Sequence, residues 1–125
     1  MESKITVRKD HILVEPQEAE LWEILRSLGE LFRIPEHRNT NVIWVFRDGS
    51  LKVTFDDLYK IKKIARDKLP KNYRPDRKIA IVVETPFQKA LASVYSRIEA
   101  DIPVEFEVFS DLSTAENWIN RSPQE

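Results

Sequence analysis

The sequence predicts an α/β fold: a mixed sheet of about five strands, built from an N-terminal hairpin plus three parallel strands, with helices packed on it. Three observations carry this expectation. The runs NVIWVF at 41–46 and KIAIVV at 78–83 are apolar on both sides of their pleat, the mark of strands roofed by helices on two faces. Stretches with helical spacing lie between and after them. A last run, VEFEVF at 104–109, alternates Glu105 and Glu107 with apolar residues, as a strand with one wet face near a sheet edge does.

The elements follow in chain order. ITVR and HILVE, separated by Lys9 and Asp10, read as a hairpin whose turn lacks the favoured Gly. From Pro16 to about Ile34, apolar residues at 21, 24, 25, 28, 31 and 32 recur at helical spacing, with Pro16 suited to the first helical position. After the 41–46 strand, Thr54 stands as N-cap with Asp57 three residues on. The helix they open places Phe55, Leu58, Ile61, Ala65 and Leu69 on one stripe. The 78–83 strand runs into Thr85-Pro86-Phe87-Gln88, where Thr85 and Gln88 can satisfy free N–H groups and Pro86 lacks one that would go unused. Phe87, Leu91, Val94 and Ile98 supply that helix's packing stripe, and Pro103 helps end the connection. Ser113 with Glu116 opens a short final helix burying Ala115, Trp118 and Ile119. Strands separated by helices should lie parallel, joined by right-handed crossovers.

Composition bounds the function. At 125 residues with 42% hydrophobic and 33% charged residues, residues 1–125 read as one globular domain able to bury about two-thirds of its unfolded surface. No apolar run approaches the ~20 residues of a membrane span, and the start MESKITVRKD has no signal-like apolar segment, so a cytoplasmic location is the expectation. Zero Cys removes disulfides, thiolate metal sites and cysteine nucleophiles. Residues 60–78 hold nine basic against two acidic residues, while residues from 99 onward hold seven acidic against one basic. Such asymmetry can attract a partner or orient self-association, although charge runs are usually a solvated face, and that is the reading preferred here.

The second half, KIAIVVETPFQKALASVYSRIEADIPVEFEVFSDLSTAENWI, with its strand, helix, strand and final Ala-x-x-Trp-Ile helix, resembles the STAS-like proteins of the SpoIIAA-like family. The segment NVIWVFRDGSLKVTFDDLYKI is similar to that family's strand, Asp, loop and helix. The resemblance implies a small regulatory or ligand-binding domain related to anti-sigma factor antagonists. It also implies a phosphorylated Ser in an Asp-Ser-[Ser/Thr]-Gly loop before the second helix. Here the matching region reads KVTFDDL, without that Gly, so Asp48, Ser50, Thr54, Asp56 and Asp57 form the candidate partner or phospho-switch loop. Thr54 as a plain N-cap, with two Asp residues complementing the helix dipole, accounts for the same residues without a switch.

Other chemistries find less support. Asp48, Glu84 and Asp111 each follow a parallel strand and could converge as oxygen ligands, yet no phosphate-cradling Gly loop accompanies them. His11 and His37 lack a second ligand at metal spacing and read as surface histidines. Ser93 and Ser96 lie within a helix, where no nucleophile elbow forms. Trp22, Trp44 and Trp118 read as core or interface anchors, and the basic segment has few interleaved aromatics, which argues against nucleic acid.

Likeness in outline to lipid-carrying CRAL-TRIO domains implies an apolar ligand between a helix and the sheet. Thr85, Pro86, Phe87, Leu91, Tyr95 and Trp118 are the candidates for that pocket. The same side chains serve to cover the sheet. The expectation is a STAS-like domain, not an enzyme and without cofactor, that binds another protein or a second copy of itself, a small hydrophobic ligand being the alternative.

Overall fold

The computed structural model describes residues 4–16, 20–35, 40–47, 52–68, 77–98 and 104–120. Nine elements run in the order β1 (Lys4–Val7), β2 (His11–Glu15), α1 (Leu21–Phe32), β3 (Asn41–Phe46), α2 (Phe55–Lys68), β4 (Lys78–Val83), α3 (Pro86–Arg97), β5 (Glu105–Phe109) and α4 (Leu112–Asn120). They form one mixed α/β sheet with the strands in chain order, β1-β2-β3-β4-β5. Among the described strands only β1 and β2 pair antiparallel. Because β2 leaves the hairpin through α1, it pairs parallel with β3, so four strands rather than three run parallel.

This strand order decides where the helices go. Each crossover steps one strand in the same direction, and right-handed crossovers that all step one way lie on one face. Accordingly α1, α2 and α3 share a core with Ile12, Val14, Val42, Trp44, Phe46, Ile81 and Val83. The opposite face, Leu13, Ile43, Val45, Ala80 and Val82, is covered by α4 through Ala115, Trp118 and Ile119. Helices on both faces are thus present, but three against one. Strand period places Val14, Trp44, Ile81 and Val108 in one cross-strand row on the three-helix face. Trp44 and Phe46 stack within that core, with ring centroids 6.1 Å apart.

Several expected boundaries and stripes move. Pro16 is buried at the end of β2, and α1 begins at Leu21 with Glu20 in the N-cap position and no side-chain cap bond. Phe55 and Phe87, placed by periodicity on packing stripes, are exposed, each in the first turn of its helix. The buried side of α3 is Gln88, Leu91 and Ala92, while Val94 and Ile98 are only half-buried. Helix α4 starts at Leu112, capped by Asp111, whose Oδ1 accepts from Thr114 N–H at 2.8 Å. The expected pairing of Ser113 with Glu116 is therefore replaced, and Glu116 is freed for another contact. Of the basic run, Lys62, Arg77 and Lys78 are buried rather than solvated. His11 is buried as well, with 3% exposed, because it starts β2 beneath α4 instead of ending a surface turn. Leu69, His37, Pro103, Asp48 and Ser50 lie outside the described residues.

Candidate functional site

The carboxyl ends of the parallel strands are the place where such sheets present their loops and helix N-termini. Helices α1, α2 and α3 all begin there, side by side on one face, because each leaves the end of a parallel strand. Their caps and first turns carry Thr54, Asp56, Asp57, Thr85, Pro86 and Phe87.

At α2 the two N-cap partners satisfy each other. Thr54 N–H donates to Asp57 Oδ2 at 3.0 Å, and Asp57 N–H donates to Thr54 Oγ1 at 3.1 Å. This reciprocal bonding occupies two helix-end donors that would otherwise face water alone. Asp56 is exposed beside it, where a carboxylate complements the helix dipole. At α3, Gln88 N–H donates to Thr85 Oγ1 at 3.1 Å, and Pro86 occupies the first helical position. The Gln88 side chain reaches one residue further back than a capping box does, its Oε1 accepting from Glu84 N–H at 3.1 Å. Thr54 and Thr85 are thus explained by local backbone chemistry.

The four apolar pocket candidates do not come together. Leu91 is buried in the three-helix core, and Tyr95 packs against that same core. Phe87 points to solvent with 66% of its surface exposed. Trp118 lies on the other face of the sheet, on the inner side of α4, with its ring centroid 5.5 Å from that of Phe109. The sheet itself separates it from α3. Of the strand-end acids within the described residues, Asp111 binds Thr114 at the start of α4, and Glu84 is exposed before α3. Among the described residues no three His, Cys, Asp or Glu side chains gather as a metal-binding group. Also among them, no helix is long and apolar enough to cross a membrane.

The large exposed hydrophobic side chains near the starts of these three helices are aromatic. Trp22 in the first turn of α1, Phe55 and Tyr59 one turn apart in α2, and Phe87 in the first turn of α3 are each more than half exposed. Periodicity alone assigns two of them to packing and Trp22 to an anchor; for Trp22, Phe55 and Phe87 the signal that separates them from core residues is their place in first turns. At about 200 Å² per ring, each of the four presents roughly 100 Å² of aromatic surface to solvent. The rim is mixed in charge. Arg26 lies 5.4 Å from the Trp22 ring centroid, and Arg47 reaches Glu15 at 3.5 Å.

Two of the buried cations, Lys62 and Lys78, end helices in a way that carries no signal in the sequence. Lys62 of α2 is 2% exposed and directs its ammonium inward, 3.8 Å from the centroid of Phe106 and 4.5 Å from that of Tyr95. It donates to Tyr95 O at 2.8 Å, at the carboxyl end of α3 where the dipole favours a cation. Desolvation by burial lowers its pKa to about 8. Lys78 likewise donates to Trp118 O at 2.9 Å, at the end of α4. Both belong to the basic run whose expected setting is solvent, and only the helix each one terminates reveals its role.

Comparison with protein-family models, curated proteins and solved structures finds no match to this chain.

Proposed function

We propose that this chain is a STAS-like domain without catalytic activity that works by binding another protein, and that the partner docks at the carboxyl end of the parallel sheet. The observation that carries the reading is the set of exposed rings, Trp22, Phe55, Tyr59 and Phe87, in the first two turns of three adjacent helices. Large aromatics at the centre of a patch with a polar rim supply most of the energy in protein interfaces. The capping bonds around Thr54 support a surface that is preformed rather than switched by phosphate, since the hydroxyl is already committed to Asp57 N–H. Family membership rests on the order of elements and the Ala-x-x-Trp-Ile final helix.

The test is affinity capture from the native cell, with the wild-type protein and a variant carrying Trp22→Ser, Phe55→Ser, Tyr59→Ser and Phe87→Ser. All four side chains are exposed, so thermal stability should hold while a specific partner is lost. A partner retained by the variant at wild-type level refutes docking at this end. Native mass spectrometry of the same preparations reports a second copy or a small apolar passenger, and a stoichiometric passenger would favour the carrier reading instead.

A further inference from the structure

His11 stands between two carboxylates that belong to different parts of the chain. Its Nδ1 lies 2.8 Å from Oδ1 of Asp10 in the β1–β2 turn, and its Nε2 lies 3.7 Å from Oε2 of Glu116 in α4. The imidazole is almost wholly buried, and Nε2 has no hydrogen-bond partner. With the ring neutral, Nδ1 can hold a proton toward Asp10, which leaves the Nε2 lone pair facing the Glu116 carboxylate. Two acceptors then oppose each other, the ring nitrogen buried and the Glu116 side chain 35% exposed, and the buried nitrogen is left without a donor, which costs free energy. With the ring protonated, both nitrogens are donors and each meets an anion.

The other groups around the ring do not offset this. Asp10, with its carboxyl held below the usual range by the His11 bond first of all, is also bonded by Asn120 of α4. From β3, Asn41 pairs with His11 across the sheet, but its Oδ1 is already taken by Lys78 N–H. Lys78 of β4 is two strands away, roughly 10 Å, and its ammonium is held by Trp118 O. Arg8 and Lys9 in the turn are exposed.

We propose that His11 is a proton-operated latch: gain of a proton on Nε2 forms an ion pair with Glu116 and fastens α4 to the sheet, and loss of that proton loosens it. The position makes the consequence specific. Among the described residues α4 is the one helix on its face of the sheet, covering Leu13, Ile43, Val45, Ala80 and Val82, so its attachment governs access to an otherwise closed apolar surface. Histidine is the side chain suited to this, since its ordinary titration lies between about pH 8 and pH 5.

Hydrogen exchange of α4 amides, corrected for intrinsic rates, tests the latch on the wild-type protein and on Glu116→Gln at about pH 8 and about pH 6. In the wild type the protection of α4 relative to β3 and β4 should rise roughly tenfold at the lower pH, the effect of forming one charge-assisted hydrogen bond. In Glu116→Gln the amide can donate to the neutral ring, so α4 protection should be flat between the two values. The imidazole ¹⁵N shifts, followed through the same range, report the state of Nε2 directly. Equal α4 protection in the wild type at both values while His11 titrates overturns the latch, as does a ring that stays neutral down to about pH 5. A wild-type step that persists undiminished in Glu116→Gln also overturns it.

Discussion

Replacing Lys62 by Met probes a cation that the fold holds out of water. Met keeps the length and apolar stem of the side chain and removes the ammonium that lies among Tyr95, Phe106 and the end of α3. Burial moves the amine from 10.5 to about 8, and at ~1.36 kcal/mol per unit that is an upper bound of roughly 3.4 kcal/mol against the charged form. Solvent screening and the attraction of two ring faces reduce this, so about 2 kcal/mol is expected. The sign follows from proton counting. Between about pH 8 and 10.5 the folded protein has released the proton and the unfolded chain still holds it, so wild-type stability rises with pH across that window. Below about pH 8 the penalty is fully present. Urea unfolding followed by tryptophan fluorescence, at about pH 7 and about pH 10, gives the difference between variant and wild type, in which other titrating groups cancel. Lys62→Met should be the more stable protein at neutral pH, by about 2 kcal/mol, with the advantage shrinking toward about pH 10. A difference that stays constant within about 0.5 kcal/mol would show that burial does not depress this amine. A difference of opposite sign would show that the rings and the helix end hold the cation more strongly than water does.

Three further outcomes separate packing from surface chemistry. Leu91→Ala should destabilise by about 2–5 kcal/mol, whereas Phe87→Ala, one turn earlier and exposed, should stay within about 0.5 kcal/mol; similar values for both in urea unfolding would contradict the assigned faces. Thr85→Ala should cost about 1 kcal/mol through loss of the bond to Gln88 N–H, and Thr85→Asp should recover it, as read from the unfolding midpoint. Trp118→Ala should cost about 3–5 kcal/mol by opening a cavity between α4 and β5, while the near-ultraviolet circular dichroism of Trp44, on the opposite face, is retained.

Much of the fold was readable from local pattern. A strand buried on both faces tolerates few polar residues on either side of its pleat, so NVIWVF and KIAIVV declare themselves, and the wet alternation of Glu105 and Glu107 marks β5 as an edge. The caps at Thr54 and Thr85 are equally local, since a helix end must satisfy its own N–H groups within a few residues. The final helix buries Ala115, Trp118 and Ile119 as its spacing requires. All of these depend on interactions between near neighbours in the chain.

Only the tertiary structure decided the rest. The order of strands put three helices on one face and one on the other, and that alone parts Trp118 from Leu91 and Tyr95, which no spacing along the chain could reveal. The same arrangement set the exposed rings of three separate helices along one end of the sheet. It turned Lys62 and Lys78 from members of a basic run into the cations that end α3 and α4, and it carried Glu116 across to His11. Periodicity reports which side of an element is apolar; whether a polar group on that element meets water, a helix end or an opposite charge depends on contacts between residues far apart in sequence, and these exist only once the sheet has chosen its order.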